Sequence, residues 1–224
     1  MTPRPVDVFV AELVKIGTAP GAWVALAAAV AFDAALGALA RSGAVVSMGT
    51  TVSLGGDGTL AAVHPFVAIA VFAAGDEYRC GQLGVSLLAV PRRTRLFGAK
   101  LAATVVVAGV GAAVAVLPGC LQRPDGSAVP RVAAYVLLSL VGFGLAGVTR
   151  SVVTPLVLLV VVPVLVSPAL GAVFPTLVEY FPYEAARSML GEPRDVGTVV
   201  AAGWALVSVT AAWACVVRRD GAGR

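Results

Sequence analysis

Charge is what this sequence has little of. Asp, Glu, Lys and Arg make up 12% of its 224 residues, about half of what a soluble domain carries on its wetted surface. Lysine occurs twice, as Lys15 and Lys100, and histidine once, as His64. A single histidine excludes histidine-rich metal sites, and any Ser-His or Cys-His relay would have to run through it. Cys80, Cys120 and Cys215 fall in separate segments without metal-type spacing, and they read as free thiols with no assigned role. Val14 precedes Lys15 and Ala99 precedes Lys100, so no G-x-x-x-x-G-K-[ST] loop exists to cradle a nucleotide phosphate. G-x-S-x-G and H-E-x-x-H are missing too, which argues against an intramembrane enzyme.

What the sequence has in quantity is apolar length. Hydrophobic residues make up 59% of it, and the mean hydropathy is +0.95. Crossing the hydrocarbon of a bilayer takes roughly 20 mostly apolar residues. Segments of this kind are expected at about 21–40, 60–75, 98–118, 131–149, 152–174 and 196–217. Each is rich in Ala, Val, Leu and Gly, and each is bounded by Pro, Gly or charge. The second is the shortest, and the Gly, Ser and Thr-rich stretch SMGTTVSLGGDGT before it reads as a loop. Only short connections remain, so residues 1–224 are expected to form one all-α transmembrane domain of six spans.

Ahead of the first span, residues 4–16 place Val6, Phe9, Val10 and Leu13 at helical spacing, with Arg4, Asp7, Glu12 and Lys15 elsewhere. This pattern predicts an amphipathic helix lying in the membrane interface. Its acidic residues do not fit the basic-then-apolar order of a cleavable signal peptide. Basic residues set the orientation. Arg4, Lys15, Arg79, Arg92, Arg93, Arg95, Lys100, Arg150, Arg218, Arg219 and Arg224 fall on one side, against Arg41, Arg123, Arg131, Arg187 and Arg194 on the other. The richer side is expected to be cytoplasmic, with both termini there, in the cytoplasmic membrane of a prokaryotic cell.

The most informative connection is residues 75–100, GDEYRCGQLGVSLLAVPRRTRLFGAK. Read from its chemistry alone, it is a basic inner loop that fixes topology and meets anionic headgroups. Its residues also resemble the core motif of permease subunits in the type-2 ABC exporter family: Glu77, Tyr78, Arg79 and Gly81, then Pro91, Arg92 and Arg93, then Lys100 entering the third span. Gln82 departs from the family's usual Thr. The likeness extends over most of the chain. Glu12, Lys15, Thr18 and Trp23 resemble the family's interfacial elbow, LVEYFPYEAARSML (177–190) its outer helical hairpin, and CVVRRD its basic ending.

The resemblance implies a type-2 ABC exporter permease fold, with the eight motif residues meeting an ATPase through a short helix around 78–95. It further implies two ATPase subunits per complex, which bind the ATP and Mg, and a second permease, identical or paralogous. No cofactor is expected in this chain, and its surroundings are lipid and protein rather than nucleic acid. An apolar pathway favours hydrophobic, lipid-like, peptide or drug cargo. The competing reading is a membrane scaffold or immunity protein acting without ATP.

Two positions inside the spans stand out. Asp33 lies on one helical face with Ala29 and Gly37. It reads either as a pathway or dimer-interface acid or as a hydrogen-bonded carboxyl locking two helices, and the second is expected. Pro163, with Pro155 and Pro168, is expected to kink or break the fifth span, and it reads either as a break lining the pathway or as a packing proline of the kind membrane helices tolerate. Gly142 and Ala146 read as a packing pair in the fourth.

Overall fold

A computed structural model describes residues 4–42, 60–79, 93–122, 128–191 and 194–219, and these contain no strand. The helices are α1 (Pro5–Thr18), α2 (Pro20–Arg41), α3 (Val63–Arg79), α4 (Arg93–Gln122), α5 (Ala128–Thr149), α6 (Val153–Val161), α7 (Ser167–Gly171), α8 (Pro175–Val178), α9 (Pro182–Ser188) and α10 (Arg194–Arg219). A π-helical turn, Val162–Val166, joins α6 to α7. Five stretches are long and apolar enough to cross a membrane: Pro20–Leu39, Arg93–Gln122, Ala128–Thr149, Val153–Gly171 and Asp195–Val217. The protein is therefore built as a multi-pass membrane bundle.

The sixth expected span is α3, whose apolar part, Val63–Asp76, is shorter than the others. It lies in the middle of the bundle, with Leu60, Ala62, Val63, Phe66, Val67, Ala70 and Val71 buried. Packed helices rather than lipid surround it, so its length need not match the hydrocarbon thickness by itself.

Contacts between the helices fix their relative directions. Asp33, late in α2, meets Gly119, late in α4, so these two run the same way. Tyr78, at the end of α3, lies under Arg150, just past the end of α5, so α3 and α5 run together, and Phe72, late in α3, meets Gly21 at the start of α2, so they run opposite to α2 and α4. Gly144 and Gly147 of α5 face Ser208 and Ala212 of α10 in the same order, so α10 runs with α5. The start of α2 and the end of α10 therefore lie at one end of the bundle, here called the near end.

Glycine makes the closest crossings possible. A Cβ at Gly142 would sit 2.6 Å from Val67 Cγ1, and one at Gly147 2.8 Å from Ala212 Cβ. Gly142 thus packs against α3, as expected of a small residue in a membrane bundle. The tight contact with α10 belongs to Gly144 and Gly147. Arg150 ends α5 at φ 52°, a left-handed conformation of the kind that terminates helices.

α4 departs from its expected bounds. It begins at Arg93 rather than near residue 98, so the motif's last arginine and Lys100 sit on one unbroken helix with the span. The expected helix around 78–95 falls largely on residues 80–92, outside the described residues. The same is true of Cys80, Gly81, Gln82, Pro91, Arg92 and the loop at 47–59.

Candidate functional site: buried charges at the two ends of the bundle

At the near end, α1 lies against α4 through a face that its sequence pattern hides. The buried residues are Val8, Glu12 and Ile16, an i, i+4, i+8 row with a carboxylate in the middle. Phe9 and Leu13 are partly buried beside them, while Val6, Val10 and Val14 form an exposed apolar stripe. The expected face of Val6, Phe9, Val10 and Leu13 is thus divided between the bundle and its surroundings. Glu12 can be buried because two cations meet it, Lys15 Nζ at 2.8 Å from Oε1 and Lys100 Nζ at 3.1 Å from Oε2. Lys100 Nζ also donates to the Ala73 carbonyl of α3 at 3.1 Å. One lysine therefore ties α1, α3 and α4 together.

A short elbow holds α1 at its angle to α2. Pro20 opens α2, and the Trp23 indole N–H donates 2.7 Å to the Gly17 carbonyl. The Thr18 hydroxyl donates 2.8 Å to the Val14 carbonyl. Thr18 and Trp23 each bond back to the α1 backbone, and the Glu12–Lys100 ion pair is the part that was missed. A glutamate in the middle of an otherwise apolar row, in a chain with two lysines, was the available signal.

The motif residues divide. Lys100 is buried and engaged with Glu12 and Ala73, so its influence on any partner has to pass through α1 and α3. Tyr78 lies 5.8 Å below the Arg150 guanidinium, a cation–π pair. Gly75, one turn earlier, packs on Val152. Arg93 starts α4. Glu77 and Arg79 belong to the last turn of α3, and their side chains lie outside the description.

At the far end, Asp33 accepts a hydrogen bond of 2.7 Å from the Gly119 backbone N–H through Oδ2. Its Oδ1 lies 4.0 Å from Arg131 Nη1, and both side chains are only 2% exposed. Pro118 interrupts the α4 ladder just before Gly119. A Cβ at position 119 would lie 2.5 Å from Asp33 Oδ2, so only glycine lets the carboxylate approach. Gln122 Nε2 donates to the Ala34 carbonyl at 3.4 Å, and a Cβ at Gly37 would meet the Gln122 side chain. The face of Ala29, Asp33 and Gly37 therefore packs on α4, as a helix-locking role requires.

Arg131 was expected on the outer side, at the start of the fourth span. It lies in the first turn of α5 and is buried inside the bundle, with the Asp33 carboxylate near its guanidinium. Gly119 and Arg131 also draw Asp33 toward the far end of the bundle, rather than its middle. Tyr135 and Ser139 continue the Arg131 row at i+4 and i+8. Both are buried, and neither hydroxyl has a hydrogen-bond partner among the described residues.

Pro163 does not sever the fifth span. The π turn absorbs it, with the Ser167 N–H bonding back to the Val162 carbonyl. Outside the spans, the α8–α9 hairpin packs on α10, where the Trp204 indole N–H donates 2.7 Å to the Tyr180 carbonyl. Burial there raises the Glu184 carboxyl above its ordinary range, with Arg187 opposing. Burial first, and Glu184 second, pushes the Tyr183 phenol up to about 12. No group of three or more potential metal ligands occurs among the described residues.

Comparison with known proteins found no family model, no curated protein and no solved structure that matches this chain.

Proposed function

We propose that this chain is the permease subunit of a type-2 ABC exporter, in which α3 counts as a sixth crossing and both termini face the cytoplasm. The observation that carries this reading is the clip at the near end, where one buried lysine joins α1, α3 and α4. The segment 80–92, flanked by Arg79 and Arg93, connects the last two of these helices. A push on that segment or on α1 would load Lys100 directly. From Lys100 to Gly119, α4 is one helix about 29 Å long at 1.5 Å per residue, its ladder interrupted only at Pro118, and Gly119 grips Asp33 at the far end. This gives a stiff route from the cytoplasmic face to the outer half of the bundle.

The chain would draw energy from a separate ATPase, two copies per complex, and would pair with a second permease, identical or paralogous. Glu77, Tyr78, Arg79, Gly81, Pro91, Arg92 and Arg93 would meet the ATPase, and Lys100 would carry the load inward. ATP and Mg would sit in the partner. Cargo would be apolar or amphipathic, in keeping with the bundle's composition.

The test is purification of the tagged chain from native membranes under mild detergent, followed by an assay of ATP hydrolysis. A copurifying ATPase whose activity falls in Glu77→Lys, with membrane insertion unchanged, is the expected result. A chain that purifies alone, without ATP hydrolysis, would sink the proposal.

A further inference from the structure

Tyr135 and Ser139 have no part in the transport reading, yet the fold seals both inside the bundle, with Tyr135 0% exposed and Ser139 1%. With Arg131 they form an i, i+4, i+8 row on α5, each step about 6 Å along the axis at 1.5 Å per residue. The Tyr135 ring packs on Phe66 of α3, with centroids 5.1 Å apart. Phenylalanine would fill that contact equally well, so the hydroxyl is an addition that packing does not require. A hydroxyl without a partner is costly in an apolar interior, and that of Tyr135 has none among the described residues. Ser139 has its own remedy, because a serine hydroxyl can turn onto the carbonyl four residues back. A tyrosine hydroxyl stands too far from its own backbone for that.

Two further observations locate a partner. Long side chains in a helix lean toward its N-terminus, which carries the Tyr135 hydroxyl toward Arg131 and the Asp33 carboxylate. There Asp33 Oδ1 and Arg131 Nη1 stand 4.0 Å apart, beyond a direct hydrogen bond and within the reach of one bridging water. The two charges cancel, so nothing at this point calls for an ion. What fits is small, neutral and able to donate and accept at once. We propose that Tyr135, Asp33 and Arg131 hold a buried water. It accepts from the Tyr135 O–H, donates to Asp33 Oδ1 and lies beside the Arg131 guanidinium. About three polar neighbours are the usual complement of an internal water. Asp33 already binds the Gly119 N–H of α4, so the water extends that contact to the α3–α5 interface marked by Phe66 and Tyr135.

X-ray radiolysis of the full-length chain in detergent, read by mass spectrometry, tests the site. Hydroxyl radicals formed from a bound water oxidise the side chain that holds it, even where bulk solvent does not reach. Tyr135 is expected to be labelled, while Phe143, equally buried two turns further along α5, stays unlabelled. Tyr135→Phe keeps the ring and should shift the unfolding equilibrium about fivefold toward the unfolded state, the effect of one net hydrogen bond. In the Asp33→Leu/Arg131→Met background, labelling of Tyr135 should fall. An unlabelled Tyr135 would overturn the site, and so would equal labelling of Phe143, which would mean that radicals enter the whole core. A Tyr135→Phe variant as stable as the wild type would overturn it too, since loss of an unpartnered hydroxyl costs nothing. These measurements decide even if the double variant does not fold. No ATPase enters them, so their failure would leave the transport reading standing.

Discussion

The two buried charge clusters solve the same problem differently. Near the α1 end, Glu12 is held by close contacts of 2.8 and 3.1 Å, and one partner, Lys15, keeps 46% of its side chain exposed. At the far end, Asp33 and Arg131 are 4.0 Å apart and nearly sealed, and the shortest contact is to the Gly119 N–H. The first cluster fastens a peripheral helix to the bundle and keeps one cation in contact with solvent. The second lies among three helices of the bundle. An ion pair that can hydrate when it opens is suited to moving, whereas a sealed pair is suited to holding.

The largest expected effect is therefore at the far end. Asp33→Leu or Arg131→Met alone leaves a buried charge without its counter-charge and should cost about 3–5 kcal/mol. The double variant Asp33→Leu/Arg131→Met should recover most of that loss, and unfolding midpoints in mixed detergent–SDS micelles would measure it. Asp33→Asn keeps an acceptor for the Gly119 N–H and should still assemble. Costs that simply add in the double variant would show that Gly119, rather than Arg131, governs Asp33.

At the near end the effect should be smaller and local. Glu12→Gln keeps an amide oxygen as acceptor and loses one of the two charge-assisted hydrogen bonds, worth about 1.5–3 kcal/mol, and α1 is the element that should come loose. Limited proteolysis or hydrogen exchange would then rise over residues 5–18 while the Asp33 end stays protected. Loss of protection at both ends together would mean the clusters are one cooperative unit, and the contrast drawn between them would fail.

The smallest effect concerns Glu184, outside both clusters. Its carboxyl is raised by burial, so the folded state holds its proton to higher pH than the unfolded chain does. That contribution favours folding below the ordinary carboxyl range and is lost as pH rises through the folded value. Glu184→Gln should flatten the decline in thermal stability from mildly acidic to neutral pH. A variant whose pH profile matches the wild type would place the pH dependence elsewhere.

Much of the scaffold was legible from local pattern. The apolar runs place α2, α4, α5, the fifth span and α10 within a few residues, because a bilayer demands length and apolarity of each segment separately. The burial of Arg131 was not readable, because an arginine at the start of a span is expected to face solvent, and the Asp33 carboxylate that meets it arrives from α2. The buried face of α1 was misread in the same way, since Glu12 looks like a surface residue until Lys100 stands opposite.

Composition and periodicity by themselves determined that this is a helical membrane protein, where its long apolar helices lie, and that no nucleotide-cradling loop is encoded. Tertiary structure decided which charges are interior. Glu12 with Lys100 and Asp33 with Arg131 are each joined across a long stretch of chain. The physical reason is that burial of a polar group is permitted by its partner, and the identity of that partner is set by how helices pack rather than by any local run of residues.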